Sequence, residues 1–172
     1  MAIYVTSDAH GHVRALDEAL SKISLASDDT LYVLGDMIDR GPDPVGVIKL
    51  VRSLPNARVL KGNHEQIMLD AIIGQDPLDA ETWDINGGWT TRQQLNDMEF
   101  EAYEELVRWM ATLPLYAVAE TDERPYLLVH AGIETEAARA FLLEHGVDCA
   151  DGAGAVSADR TAEADACRAV VR

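Results

Sequence analysis

Residues 31–41 read Leu31-Tyr32-Val33-Leu34-Gly35-Asp36-Met37-Ile38-Asp39-Arg40-Gly41: a short apolar run leading into a cluster of two carboxylates and a guanidinium between glycines. The run is strand-length and stops at Gly35, so it reads as a buried strand with polar chemistry at its carboxyl end. The same pattern recurs on either side. Upstream, Ile3-Tyr4-Val5 leads into Asp8-Ala9-His10-Gly11, and downstream Arg58 to Leu60 leads into Gly62-Asn63-His64-Glu65. Helical periodicity fills the gaps. Val13, Leu16, Ala19, Leu20 and Ile23 form one stripe, and Val45, Ile48, Val51 and Leu54 form another behind an Asp43-Pro44 cap. This alternation predicts an α/β fold with a largely parallel or mixed sheet and helices packed on it.

Farther along, the spacing predicts helices over 65–73, 91–98 and 103–112, with a turn at Asn86-Gly87-Gly88. Strands are expected over 115–119 and 126–130, joined as a hairpin through Glu120-Thr121-Asp122-Glu123, the second ending at His130-Ala131-Gly132. A helix over 136–144 ends at His145 and Gly146. From Gly146 onward Ala, Asp and Gly dominate and no apolar period persists. The expected organisation is one domain over 1–145, with residues 146–172 a weakly ordered tail or sequence foreign to the fold.

Composition narrows the function classes. The chain has 172 residues, enough for one domain with a real core. A formal net charge of −16 disfavours binding nucleic acid through a basic surface, and would repel phosphate unless bound cations invert the field locally. No apolar run is long enough to span a membrane and no signal peptide opens the chain, so the expected location is the cytoplasm. Cys149 and Cys167 form no paired motif and read as free thiols.

Taken singly, each polar cluster has an ordinary reading as turn or loop residues. Taken together, Asp, His and Asn arriving at successive strand ends form a hard-to-borderline metal site where open α/β sheets bind ligands. The glycines let the backbone turn and approach closely there. His12 reads as a solvated or substrate-edge residue and His145 as a helix-end residue. Trp83, Trp89 and Trp109 read as packing.

DAHG (8–11), GDMIDRG (35–41), GNHE (62–65) and LVHAG (128–132) resemble the signature set of the phosphoprotein-phosphatase branch of calcineurin-like metallophosphoesterases. The Asn86-Gly87-Gly88 turn after Trp83 is similar to that of the small bacterial and phage members. The likeness covers roughly residues 1–135. It implies an αββα sandwich of two mixed sheets flanked by helices. Asp8, His10 and Asp36 then resemble ligands of a first metal, and Asp36, Asn63 and His130 ligands of a second, with Asp36 bridging. Arg40 resembles the phosphate-binding arginine, and Asp39 with His64 the acid dyad. Two divalent ions are implied: manganese first, with iron or zinc as other occupants. The resemblance also leads to the expectation of a Trp-x-Arg and a Gly-His-Thr element after the His-Ala-Gly segment. Neither is present in the sequence. The reading is therefore a truncated or frameshifted chain, with its C-terminal strands missing and its second metal site weakened.

The chemistry follows from the residue types. Two cations about 4 Å apart bridged by one carboxylate share a hydroxide whose pKa falls towards neutrality. Arg40 would stabilise charge on the phosphoryl oxygens, and a histidinium at His64, oriented by Asp39, would protonate the leaving alkoxide. The first expectation is a serine/threonine protein phosphatase. The alternatives are a symmetrical bis(5'-nucleosyl)-tetraphosphatase and an inactive metal- or phosphate-binding remnant. The partner is a phosphorylated protein or small phosphoester, not a nucleic acid or a membrane.

Overall fold

The structure, a computed structural model, describes residues 1–74, 76–132 and 134–144. His145, Cys149, Cys167 and the expected change of character after Gly146 lie outside those residues. The chain divides into two compact units, Met1–Leu115 and Tyr116 onward.

The first unit opens with β1 (Ile3–Thr6), α1 (Val13–Ile23), β2 (Thr30–Val33), α2 (Pro44–Ser53) and β3 (Ala57–Val59). The three strands form one sheet in the order β1-β2-β3, all parallel. β2 is central, and its Leu31, Tyr32 and Val33 are all buried, as a strand covered on both faces requires. The register aligns Thr6 with Val33 and Val33 with Val59, so the three carboxyl ends finish level. The motifs that follow β1, β2 and β3 are thereby delivered to one edge of this sheet.

α2 begins as its sequence dictates. The Asp43 carboxylate accepts from the Gly46 amide at 2.9 Å, and Pro44 occupies the first turn, where its missing N–H costs nothing. Four helices follow: α3 (Asn63–Ile73), α4 (Pro77–Ile85), α5 (Trp89–Asn96) and α6 (Phe100–Ala111). α4 has no counterpart among the expected helices, yet it carries the same start signal as α2: Asp76 accepts from the Leu78 amide at 2.9 Å and Pro77 follows. Its apolar content is thin, with Trp83 the one buried residue, so no stripe announces it. α4 and α6 pack on α3, and α5 on α2.

The core of this unit gathers Leu31 and Val33 of β2, four residues of α2, Met68 and Leu69 of α3, and Leu106 and Met110 of α6. Met37 and Ile38 are also wholly buried. They anchor the loop after β2 in the core, between the two aspartates it presents. One expected stripe position, Ala19, is exposed, and Val47, off the predicted stripe, is wholly buried. Trp89, expected to pack, is also exposed.

The second unit contains β4 (Tyr116–Glu120), β5 (Pro125–Val129) and α7 (Thr135–Glu144). The strands pair antiparallel, Tyr116 opposite Val129 and Glu120 opposite Pro125. At the turn the Thr121 hydroxyl donates to the Arg124 carbonyl at 2.7 Å and accepts from the Arg124 amide at 3.2 Å. The Phe141 ring of α7 meets Tyr116 of β4 edge-on at 5.7 Å between centroids. Among the described residues the fold is thus α/β with seven helices and two sheets, one parallel and one antiparallel. No helix among them is long and apolar enough to cross a membrane.

Candidate active site

The loops beyond β1 and β2 are laced by backbone hydrogen bonds. The Asp8 amide donates to the Gly35 carbonyl at 3.2 Å, His10 to Asp36 at 2.9 Å and Gly11 to Met37 at 2.9 Å. Along these loops Asp8, His10, Asp36, Asp39 and Arg40 all adopt positive φ, between 40° and 69°. Ser24 is the one other non-glycine residue in that region among the described residues. The left-handed backbone is disfavoured for L-residues and is kept where surrounding structure over-determines it, typically at functional sites.

The loop beyond β3 joins them through Glu65. Its fully buried carboxylate accepts from the amides of Asp36, Met37 and Gly62, each at 2.8 Å. Burial pushes the Glu65 carboxyl up, against the pull of those three donors and with the added repulsion of Asp36. Gly62 is the N-cap of α3 and has no side chain to offer the helix. Asp36 supplies one instead, accepting from the His64 amide at 3.0 Å. A Cβ at Gly62 would collide with that same Asp36 carboxylate, so glycine is required by the close approach.

The side chains that meet here form two connected groups. In the first, the His10 Nε2 lies 3.8 Å from a carboxylate oxygen of Asp8 and 3.7 Å from Oδ2 of Asp36. The His10 Nδ1 faces the Ile38 carbonyl at 2.9 Å, a contact only an N–H can make, so Nε2 carries the lone pair. Oxygen and nitrogen donors spaced in this way suit one divalent ion with bonds of roughly 2.1 Å. Asp8, His10 and Asp36 therefore fit a metal. His64 Nε2 or Nδ1 also lies within 4.8 Å of His10 and Asp36 ligand atoms, the rings of the two histidines meeting edge-on at 4.7 Å.

In the second group, His64 and Asp39 are wholly buried, with His64 Nδ1 2.7 Å from Asp39 Oδ2. Arg40 donates to Nε2 of His64 at 2.8 Å and to Nε2 of His10 at 3.0 Å. Because Arg can only donate, both Nε2 atoms accept, and His64 carries its proton on Nδ1, towards Asp39. The Asp39 carboxylate has two further donors, the indole Nε1 of Trp83 at 3.1 and 3.2 Å and the Thr91 hydroxyl at 2.6 Å.

Six expected site residues thus come together: Asp8, His10, Asp36, Asp39, Arg40 and His64. Asn63 is the exposed first residue of α3, next to His64. His130 follows β5 in the second unit and is half-buried. His12 is exposed, as expected. Sequence reasoning gave no role to Glu65, although it is the third helical residue after a glycine cap, where an acidic side chain reaches back to the cap amide. It also missed the polar ends of Trp83 and Thr91, which no local pattern reveals because their partner lies more than forty residues upstream.

The family model for calcineurin-like phosphoesterase matches residues 1–156. A symmetrical bis(5'-nucleosyl)-tetraphosphatase of Erwinia tasmaniensis is 32% identical over 136 residues, covering 77% of this chain and 45% of the relative. The protein of the same name from Proteus mirabilis is 32% identical over 139 residues, with the same coverage of 77% and 45%. The chain spans about half the length of the curated relatives it matches. Among solved structures, a Saccharomyces cerevisiae protein serine/threonine phosphatase with similarity to human phosphatase PP5 superposes with a TM-score of 0.57 at 20% identity. That match covers 77% of this chain and 38% of the other, and it marks a shared fold.

Proposed function

Because the chain belongs to the calcineurin-like phosphoesterases, we propose that it is a metal-dependent phosphoester hydrolase acting on dinucleoside tetraphosphates. The observation that carries the reaction class is the convergence of Asp8, His10 and Asp36 beside the Arg40–His64–Asp39 chain. The substrate class is supported by relatives at 32% identity named as symmetrical tetraphosphatases. The likeness to a protein phosphatase is one of fold, at 20% identity. The tetraphosphatase reading therefore ranks above the protein phosphatase first expected from the motifs.

Divalent ions, with manganese the first candidate, supply a nucleophilic hydroxide near neutral pH and offset phosphate charge. Asp8, His10 and Asp36 would hold one ion; Asn63 and His130 are proposed as further ligands on their motifs. The guanidinium of Arg40 binds the phosphoryl oxygens, its planar fork matching two of them. An incoming phosphate competes for the same N–H groups that now reach the two imidazoles, and so frees the Nε2 edge of His64. Once freed, Nε2 takes up a proton from solvent, and the resulting imidazolium passes that proton to the departing oxygen while Asp39 keeps Nδ1 protonated and the ring aimed. Asp39 holds His64 and touches no metal in this scheme.

The test compares diadenosine tetraphosphate, a phosphopeptide and an aryl phosphate, each with Mn2+. Faster cleavage of the dinucleotide is expected. Removing the proton donor in His64→Asn should lower kcat about 10²- to 10⁴-fold on the phosphopeptide, whose leaving alkoxide must be protonated. His10→Ala should reduce the Mn2+ retained after gel filtration. Preference for the phosphopeptide would overturn the substrate class, and inertness towards all three would overturn the enzyme.

A further inference from the structure

Resting on that reading, we propose that Trp83 and Thr91 are positioning residues that clamp Asp39 and thereby fix which edge of His64 faces the reacting phosphate. Thr91 makes two bonds to one residue. Its hydroxyl donates to Asp39 Oδ1 at 2.6 Å and accepts from the Asp39 amide at 2.9 Å. A hydroxyl has one proton and two lone pairs, so both bonds are made at once. They close a ring on a residue whose φ is 69°, holding both its strained backbone and its carboxylate. Branching at Cβ restricts the Thr91 rotamer further. Trp83 shares its single N–H between the two Asp39 oxygens, at 3.1 and 3.2 Å.

The Asp39 carboxylate is wholly buried and is hydrogen-bonded by Trp83, Thr91 and His64. Arg40 contacts the opposite edge of the His64 ring. Neutral donors therefore hold a carboxylate that would otherwise be expensive to bury ionised. Once it is held, the His64 Nδ1 proton has one acceptor, Oδ2 at 2.7 Å, and Nε2 is left facing the site. Free rotation of Asp39 would release both the ring and its tautomer.

Trp83 lies in α4 and Thr91 in α5, and the turn between them is part of the same device. The Gly87 carbonyl accepts from the Arg40 amide at 3.1 Å. The Trp83 indole lies so close over Gly88 that a Cβ there would collide with it. The helix–turn–helix excursion thus holds residue 39 by its carboxylate and amide and residue 40 by its amide. The Asn86-Gly87-Gly88 turn brings the two donors to the same carboxylate.

The experiment uses the full chain with Thr91→Val, Thr91→Ser and Trp83→Phe. The first reading is the NMR signal of the His64 Nδ1 proton, which needs no activity. A downfield, slowly exchanging proton is expected in the parent and in Thr91→Ser, and its loss or marked shift in Thr91→Val and Trp83→Phe. The second reading is kcat on two phosphoesters with Mn2+ content measured in parallel. For an alkyl ester, whose alkoxide must be protonated to leave, kcat should fall about 10- to 100-fold in Thr91→Val and Trp83→Phe and recover in Thr91→Ser. For 4-nitrophenyl phosphate, whose leaving group needs no proton, kcat should change little. An unaltered His64 signal in both Thr91→Val and Trp83→Phe overturns the clamp. So does an equal fall on both esters, or a fall that tracks lost Mn2+. An inert parent would remove the hydrolase reading while the imidazole signal still decides the clamp. Should Thr91→Val not fold, Trp83→Phe, which removes one donor and keeps the aromatic packing, decides by the same readings.

Discussion

Glu65 shows how far one side chain can determine the shape of a site it does not itself form. Its two oxygens join the amides of Asp36 and Met37, beyond β2, to that of Gly62, beyond β3. Asp36 and the start of α3 are therefore held at a fixed separation by a group with no accessible surface. In Glu65→Gln one acceptor oxygen becomes an NH2 group facing an amide N–H. At least one buried donor is then left without a partner, at a cost of about 1–3 kcal/mol. Urea unfolding should register that loss as a lower midpoint with an unchanged slope. A change under about 0.5 kcal/mol, the ordinary range for surface substitutions, would mean that Glu65 does not brace the loops. The same logic explains the positive φ of Asp8, His10, Asp36, Asp39 and Arg40. Left-handed backbone at non-glycine positions costs of order 1–3 kcal/mol each. It is retained because amide bonds to neighbouring loops, and to Thr91 in the case of Asp39, define each turn.

At the level of elements, much was legible because strands and helices here follow period and capping closely. β1, β2 and β3 begin and end within a residue or so of their expected limits, and each delivers its motif to the same edge. The gathering of Asp8, His10, Asp36 and His64 was legible for the same reason: parallel strands with level ends bring successive loops together. What escaped depended on distance in sequence. α4 has one buried residue, so its period is silent although Asp76-Pro77 marks its start. The second partner of Asp39 lies 52 residues away, and no local spacing encodes that contact. Helix stripes were legible only to within a position. Ala19 lies on the expected face of α1 but is exposed, whereas Val47 lies off the expected face of α2 and is wholly buried. That difference predicts opposite outcomes for two substitutions of similar chemistry. Ala19→Ser should change stability by no more than about 0.5 kcal/mol. Val47→Thr, which places a hydroxyl where no water reaches, should cost about 1–3 kcal/mol. Thermal unfolding of the pair decides it, and equal effects would show that the face of α2 has been assigned wrongly.

For the whole molecule, the governing quantity is a formal charge of −16 on a protein proposed to bind a polyanion. Two fields oppose each other. In the proposed function, the Arg40 fork and ions bound at Asp8, His10 and Asp36 would attract phosphate over a few ångströms. The remaining carboxylates repel it over the much longer range that screening allows. The screening length is about 30 Å at 0.01 M ionic strength and about 8 Å at 0.15 M. At low salt an approaching tetraphosphate therefore feels most of the protein's charge. At physiological salt it feels chiefly what lines the site. Inert salt added at fixed Mn2+ should accordingly raise kcat/KM for diadenosine tetraphosphate, by up to about tenfold, before the gain levels off. The change should appear in KM, because kcat reports a complex in which the substrate already lies among the short-range groups. An enzyme that draws its substrate by long-range attraction behaves in the opposite way and loses kcat/KM as salt rises. A steady fall across that range would show that the local cations outweigh the rest of the surface. The acidity of the chain would then be a property of its solvated faces with no bearing on how substrate arrives.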